Sequence, residues 1–483
     1  MIERAIENWL INTNERNYQI PFCQVLISKG YEILYISPHG QLEFGKDIIV
    51  KTPEGDTIAY QLKGGNITLA EFRKIMGELY ELIDTKCDHP NVDKSKPHKA
   101  YLITNGDIKD DVFQRIDKIN NTETHYTKLE TINKNQLLKY FLEGEGVFLP
   151  QSFEAFGIFL SFFTEDGTDL ISKQKYFDFI ANHILVRTGQ KSNKLNSVFS
   201  SVILTSYLLK NYQDKDNYFA QFETWSILYS TIISYLEEIT LNDNKIEPTL
   251  KIILEEIHES LKSIFDEFME KENLLEGSAL GDGGVMYRVR TTIILGVVTL
   301  YCKLNDNSEE PVKKKIKEHL KHAWYWGESS FSYWFNIIKY FEMIKEESVA
   351  QKYIKEFIKA TLQHNGSKNK EQAYPNVYYD SKSILNSIFQ LEPIEYNQFK
   401  GRSFILEPLI SMATRRGLKD FLQANWRKIT HIQFEEFLPD TEYDNFKWHN
   451  TTGTNYTDFP KQTESFRKLK EKYSKKIDNG FKF

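Results

Sequence analysis

Three side chains near residue 50 have the types that metal-assisted hydrolysis requires. Asp47 lies in the run GKDIIVK, and Gln61 and Lys63 lie in the run TIAYQLK. Carboxylate and carbonyl oxygens bind Mg²⁺ while it keeps several waters, and an ammonium group stabilises developing negative charge. A bound metal also lowers the pKa of its water. The set predicts hydrolysis of a phosphodiester bond, with Glu43 as a further metal ligand four residues before Asp47.

A predicted β-hairpin brings these side chains together. The two runs flank Pro53-Glu54-Gly55, where Pro favours the first corner of a type I turn and Gly the left-handed position after it. This three-residue loop sets a register in which paired residue numbers sum to 108, so Asp47 lies opposite Gln61. Lys63 shares their face because side chains alternate along a strand. A bulge in the loop would shift the register by one and separate the three groups.

Short β-like runs and helices alternate around the hairpin in the first 140 or so residues. The predicted elements are helices over about 2–11, 18–28 and 69–83, strands over 31–37, 46–51, 57–63 and 100–104, and a further helix with Asp107 as its N-cap. This order is typical of one α/β unit with helices packed on a sheet.

The rest of the chain is almost continuously helical in pattern. Apolar residues recur every three or four positions from Leu250 to Phe268, for example, after a proline that suits a first helical turn. The last fifty residues break this pattern before a basic helix closes the chain. We therefore predict a multidomain fold, α/β followed by all-α, with an α/β domain over 1–145, a helical regulatory or assembly domain over 146–430, and an irregular segment with a basic C-terminal helix over 431–483.

The composition limits the class of protein. The 483 residues include 61 basic and 67 acidic ones, and their 41% hydrophobic content excludes wholesale disorder. The formal net charge of −6 argues against a dedicated DNA coat but is compatible with a local nucleic-acid site. Three cysteines exclude a disulfide framework and favour the reducing cytoplasm. The strongly apolar stretch 291–302 is too short to span a bilayer, so we expect a buried helix there and no membrane partner.

Around Asp47, Gln61 and Lys63 the sequence resembles the PD-(D/E)xK nuclease superfamily, and specifically its Mrr-like branch, which has Gln at the last acidic position of the motif. Asp47 matches the aspartate of the motif, QLK at 61–63 matches its Gln-x-Lys, and GKDI at 45–48 matches the usual lead-in. The runs GYEIL at 30–34 and YLITNGDI at 101–108 resemble a helix-to-strand turn and a later strand of that family. The resemblance covers roughly residues 15–120.

The resemblance implies a restriction-endonuclease-like fold over 1–145 and DNA cleavage that depends on Mg²⁺ or Mn²⁺. It implies that Asp47, Gln61 and Lys63 act in catalysis and that Asp47 and Gln61 bind the metal. Glu43, which matches no position of the family motif, is added to both sets because of its spacing from Asp47. The family often carries a glutamate in the helix before the Gly-Tyr turn, whereas the matching position here is Gln19. The additional ligand is therefore open between Glu15, Gln19 and Glu43.

Nuclease domains of this type joined to large helical regions resemble effectors of prokaryotic antiphage defence. By that analogy the helical region is expected to form homo-oligomers or to bind a partner protein, and DNA is the expected substrate, with RNA as an alternative. Two other functions stay open. The chain would be a type IV-like restriction enzyme if its helical part recognised modified DNA, or a non-catalytic scaffold if the hairpin had lost its chemistry.

Overall fold

The protein is described here by a computed structural model. It describes residues 2–37, 44–93, 95–121, 125–143, 153–162, 164, 167–185, 191–240, 246–271, 284–366, 372–441, 446 and 453–475. The predicted metal ligand Glu43 lies outside the described residues. The chain divides into two compact units, of which the first runs from Met1 to Ile257 and the second begins at His258, with a short segment around Phe446 grouped with the first.

A five-stranded sheet lies at the centre of the first unit. Its strands follow the chain order: β1 (Glu32–Ile36), β2 (Ile48–Lys51), β3 (Thr57–Lys63), β4 (Lys99–Thr104) and β5 (Leu129–Ile132). The first three strands are antiparallel neighbours, and β3, β4 and β5 are parallel. The four strands predicted from the sequence are confirmed, whereas the short β5 was not predicted.

The predicted hairpin register is confirmed. Ile48 pairs with Tyr60 and Lys51 with Thr57, and beyond them the Thr52 N–H donates to the Asp56 carbonyl over 2.8 Å. Gly55 has φ +90°, the left-handed conformation that the turn requires. The loop therefore adds no bulge to the ladder between β2 and β3, and the alternation of side chains extends to the end of β3.

Helices cover both faces of this sheet. The helices on one face are α1 (Ile2–Asn12), α2 (Glu15–Ser28) and α5 (Lys134–Glu143), and those on the other are α3 (Leu69–Asp84) and α4 (Asp110–Asn120). Ile48, Tyr60 and Leu62 belong to the core under α1, α2 and α5, while Ile49 and Ala59 belong to the core under α3 and α4. The odd-numbered positions of β3 therefore face α3.

One predicted helix start is wrong. Asp107 does not cap α4, which begins at Asp110 after Lys109, and Lys109 makes no side-chain cap. Asp107 lies before the helix, and its N–H donates to the Asn66 side-chain oxygen over 2.8 Å. The loops after β3 and β4 meet through a bridge between Ile67 and Ile108, and this pairing delays the helix.

Further helices complete the first unit. They are α6 (Phe153–Phe162), α7 (Lys173–Asp178) with a π-helical turn over Phe179–Ile184, α8 (Lys191–Leu208), α9 (Lys210–Gln213), α10 (Tyr218–Glu238) and the first part of α11 (Glu247–Glu270). Helix α1 packs against α8, and buried residues from Ile6 to Ile253 form one core. The boundary predicted after residue 145 therefore falls inside this compact unit.

The second unit is mostly helical. Its helices are α12 (Val285–Leu304), α13 (Glu310–Leu320), α14 (Phe331–Met343), α15 (Glu347–His364), α16 (Ser381–Ile388), α17 (Leu406–Arg415), α18 (Lys419–Ile429) and α19 (Phe466–Lys475). Its sheet consists of β6 (Arg402–Ser403), β7 (Gln433–Pro439) and β8 (Gly453–Asp458), with β6 parallel and β8 antiparallel to β7. The chain is thus a helix-rich mixture of α and β structure in two units.

Helix α12 contains the strongly apolar stretch of the sequence. By length and composition alone it is the one helix among the described residues that is long and apolar enough to cross a membrane, and half of its apolar stretch is buried within the protein. It packs against α14, where a Cβ on Gly296 would lie 2.6 Å from the Tyr333 Cβ. Such close packing fits the core helix that the sequence predicts.

Candidate active site

Asp47 lies immediately before β2, and backbone groups hold it at the end of the hairpin ladder. Its N–H donates to the Tyr60 carbonyl over 2.8 Å, and its Oδ2 accepts from the Leu62 N–H over 2.6 Å. The side chain is buried, with 6% of the residue exposed. Because Leu62 lies between Gln61 and Lys63, the Asp47 carboxylate is fixed beside the strand segment that carries the other two predicted residues.

Gln61 and Lys63 point toward α3, where both reach the same carboxylate oxygen. The Lys63 Nζ lies 2.6 Å from Glu78 Oε2, and the Gln61 Nε2 donates to that oxygen over 3.3 Å. The Lys63 side chain is 20% exposed and that of Glu78 is 49% exposed, so these three side chains are open to solvent at Glu78. The structure therefore brings Asp47, Gln61 and Lys63 to one end of β3.

The other end of the Gln61 amide lacks a hydrogen bond. Gln61 is buried, and its Oε1 has no hydrogen-bond partner among the described residues. A buried acceptor without a donor is unfavourable by about 1–3 kcal/mol, so such a group calls for an explanation. A hard divalent cation is one, because amide oxygens belong to its usual ligands. The orphaned oxygen and the nearby Asp47 carboxylate thus fit the metal that the sequence predicts.

This donor set contains few acids. Within the described ranges, no group of three or more His, Cys, Asp or Glu side chains is arranged to hold a metal ion. A site built on Asp47 and Gln61 would supply two protein ligands and leave the other coordination positions of the metal to water and phosphate, which is the usual arrangement for Mg²⁺. The third predicted ligand, Glu43, lies outside the part of the chain that the structure describes.

Helix α2 lies against the other side of this strand end. The buried Tyr18 hydroxyl donates to the Lys63 carbonyl over 2.8 Å, and the Gln19 Nε2 donates to the Asp47 carbonyl over 3.3 Å. Burial raises the pKa of Tyr18 well above its ordinary value, and the negative charges of Glu15 and Asp47 raise it further. Glu15 and Gln19, two of the residues considered for the additional ligand, therefore both lie close to the hairpin.

The approach of α3 to Asp47 depends on the preceding residues. Gly45 has φ +68°, and a Cβ on it would overlap the Glu78 carbonyl oxygen. The Lys46 ammonium donates to the Phe44 carbonyl over 2.9 Å and to the Glu81 carbonyl over 3.1 Å, and its burial lowers its pKa. These contacts pin the segment that leads into β2 onto the backbone of α3.

Asn105 fixes the loop that follows Lys63. Its Oδ1 accepts from the Gly65 N–H over 2.7 Å, while its Nδ2 donates to the carbonyls of Leu10 and Thr13 over 2.7 and 2.8 Å. Asn105 is buried, so these bonds are shielded from water. The Thr-Asn-Gly end of β4 thus joins α1 to the strand end that carries Lys63.

A cavity of about 430 Å³ lies elsewhere in the first unit, beside the π-helical turn. Its lining includes Lys175, Asp178, Phe179 and His183. The Gln174 amide donates to both carboxylate oxygens of Asp178 over 3.0 Å, so that charge already has a partner. None of the hairpin residues lines this cavity, so it is separate from the candidate active site.

Two residues of the site were not predicted from the sequence. Glu78 lies at the edge of the apolar face of α3, three residues after Ile75 and four before Leu82, and its side chain is half-exposed. An acid at such a position was a usable signal. Tyr18 gave no comparable signal, because an aromatic residue in an amphipathic helix is ordinarily a core residue.

Comparisons of the chain with protein-family models, with curated proteins and with solved structures found no match.

Proposed function

We propose that this chain is a divalent-metal-dependent endonuclease that hydrolyses phosphodiester bonds in DNA. The observation that carries the proposal is the buried Gln61 Oε1, an acceptor without a donor among the described residues, at the end of β3 that also carries Lys63 and binds the Asp47 carboxylate through the Leu62 N–H. Neither the surrounding core nor the ion pair between Lys63 and Glu78 supplies a donor to this oxygen. A divalent cation would satisfy it, and such a cation is the cofactor that the resemblance to PD-(D/E)xK nucleases implies.

Asp47 and Gln61 would hold the metal, Mg²⁺ or Mn²⁺, with Glu43 proposed as a further ligand and Glu15 as the alternative acid. When bound, the metal would neutralise charge on the phosphate and make water a stronger nucleophile. Asp47 is prepared for this role because the Leu62 N–H already fixes one of its carboxylate oxygens. A preorganised ligand loses little conformational entropy when the metal binds.

Lys63 would act on the phosphate or on the attacking water. Its ammonium lies at the partly exposed edge of the group, where an ion pair with Glu78 holds it in place. Since that pair is open to solvent, its net contribution to stability is only about 0–1 kcal/mol, and a phosphate oxygen can compete for the lysine. Lys63 then stabilises the negative charge that develops as the phosphodiester bond breaks.

The rest of the chain is proposed to regulate this chemistry. We propose a cytoplasmic effector of prokaryotic antiphage defence in which the helical regions assemble copies of the chain or bind a partner protein. The overall charge of −6 supports regulation, because a chain with this charge gains little affinity for DNA from long-range attraction. Assembly would raise the local concentration of sites on the substrate.

Cleavage of supercoiled plasmid DNA in Mg²⁺ or Mn²⁺ tests the proposal. The wild type should nick or linearise the plasmid, with a rate that rises more steeply than protein concentration, and Asp47→Ala and Lys63→Ala should lose at least a hundredfold of that rate. Lys99→Ala is the matched control, because Lys99 lies at the opposite end of the sheet and pairs with Asp56 over 3.2 Å.

Four results would overturn parts of the proposal. A plasmid left intact by the wild type at every protein concentration and with both metals would refute the nuclease. Equal cleavage by the wild type and by both variants would assign the activity to another site or to a contaminant, and would favour a scaffold. Full-speed cleavage by the dilute, monomeric chain would refute regulation by assembly. Cleavage confined to modified DNA would replace the effector with a restriction enzyme.

A further inference from the structure

Glu78 connects two residues of the proposed catalytic group. Its Oε2 forms an ion pair with the Lys63 ammonium at 2.6 Å and accepts a hydrogen bond from the Gln61 amide nitrogen at 3.3 Å. The two donors come from alternate positions of β3, and the acceptor comes from α3. The Glu78 side chain is 49% exposed, so the pair with Lys63 adds little to stability. The role of Glu78 must therefore lie in what it does to its two partners.

The contact with Glu78 determines which end of the Gln61 amide faces which way. A side-chain amide has a donor end and an acceptor end of almost the same shape. An ionised carboxylate only accepts hydrogen bonds, so it selects the Nε2 end, and the reversed amide would place two oxygens against each other. The Gln61 Oε1 is consequently directed away from Glu78, to a buried position without a donor among the described residues.

We infer that Glu78 is a positioning residue that presents the Gln61 oxygen, rather than its nitrogen, to a divalent cation. The inference rests on the proposed metal site. Glu78 acts through Gln61, because only the amide oxygen, and not the NH₂ group, can bind a cation. By the same contact it keeps the Lys63 ammonium beside the amide. An acid in α3 thus completes a motif whose own strand carries an uncharged residue at position 61.

Binding of Mn²⁺ to the full-length protein tests this inference without any cleavage assay. Free Mn²⁺ is measured by electron paramagnetic resonance for the wild type, Glu78→Ala, Glu78→Gln and Asp47→Ala. Glu78→Ala removes the acceptor and should weaken binding by about 10–100-fold, the range seen when partners of metal ligands are removed. Glu78→Gln keeps an acceptor oxygen at the same reach and should lose clearly less. Asp47→Ala should bind no Mn²⁺ at this site.

Glu71→Gln is the matched control, since Glu71 is an exposed acid of the same helix that pairs with Lys74. It should leave Mn²⁺ affinity within twofold. Thermal unfolding checks that each variant is folded, and because Glu78 is half-exposed its substitution should leave Tm nearly unchanged. A purely structural role would lower Tm instead and leave the affinity of the folded fraction unaltered.

The outcomes separate the inference from the proposed function. If the wild type binds Mn²⁺ and Asp47→Ala abolishes binding, the site stands. Unchanged affinity in Glu78→Ala would then refute the positioning role alone. Equal losses in Glu78→Ala and Glu78→Gln would also refute it, because affinity would then depend on the charge of Glu78 and not on its acceptor oxygen. Absence of Mn²⁺ binding by the wild type would overturn both the metal site and the inference.

Discussion

One buried carboxyl group should make the stability of the second unit depend on pH. Glu328 is 2% exposed, its Oε1 accepts from the Ser403 hydroxyl over 2.5 Å, and its Oε2 accepts from the Phe404 N–H over 3.0 Å. Burial disfavours the charged form and raises the pKa of Glu328 to about 7, against the lowering effect of these hydrogen bonds. The nearby charge of Glu435 adds to the increase.

The sign of the effect follows from the two pKa values. The ordinary pKa of glutamate is 4.5, so the folded protein holds the Glu328 proton more tightly than the unfolded chain does. The stability that this proton contributes is fully present below pH 4.5, declines as the pH rises toward 7, and is lost above it. With about 1.4 kcal/mol for each pH unit between the two values, the loss amounts to roughly 3 kcal/mol.

Unfolding by urea, followed by tryptophan fluorescence between pH 5 and 8, measures this loss. Glu328→Gln stays neutral, and its amide can still accept from the Phe404 N–H while its NH₂ group donates to the Ser403 oxygen. The variant should therefore gain about 2.5 kcal/mol over the wild type between pH 5 and pH 8, because part of the loss already occurs below pH 5. Glu436→Gln, at an exposed position of β7, should show no such trend. A constant difference between Glu328→Gln and the wild type across this range would refute the reasoning.

Two further predictions concern the frame of the candidate active site. Tyr18→Phe deprives the Lys63 carbonyl of its 2.8 Å donor and should lower the free energy of unfolding by about 1–2 kcal/mol in urea denaturation; an unchanged value would mean that another donor replaces the phenol. Gly106→Ala would place a Cβ 2.3 Å from the Gly65 carbonyl carbon and should lower the free energy of unfolding by at least about 2 kcal/mol. Gly77 lies in open space on α3, so Gly77→Ala should raise the free energy of unfolding by roughly 0.5–1 kcal/mol. Equal melting temperatures for the two glycine variants would contradict the packing described for Gly106.

The hairpin was predictable because its determinants are local. Pro53 and Gly55 fix the turn, the turn fixes the register, and the register fixes the faces of every residue from β2 to β3. The proximity of Asp47 to the end of β3 followed from the printed sequence through three short steps. None of these steps requires knowledge of how distant parts of the chain pack.

The features of the fold and of the candidate site that the sequence did not predict depend on tertiary packing. Glu78 joins the group only because α3 docks on the odd-numbered face of β3, and its approach further requires the lack of a side chain at Gly45. The placement of Asp107 failed for a related reason, since the bridge between Ile67 and Ile108 competes with the start of the helix. The extent of the first unit was likewise not local, because α1 packs against α8, about 190 residues along the chain.

The pairing of Lys63 with Glu78 has a consequence for the binding of nucleic acid. A lysine that is already ion-paired gains less from a phosphate than an unpaired one, because the existing partner must first be displaced. Residues 1–150 carry 18 basic and 22 acidic residues, so the surroundings of the site do not compensate for this. If the proposed function is correct, the site is thus arranged for chemistry and not for affinity. Affinity for the substrate must then come from the metal and from the assembly of several chains, and the large non-catalytic part of the protein is where we expect that assembly to be encoded.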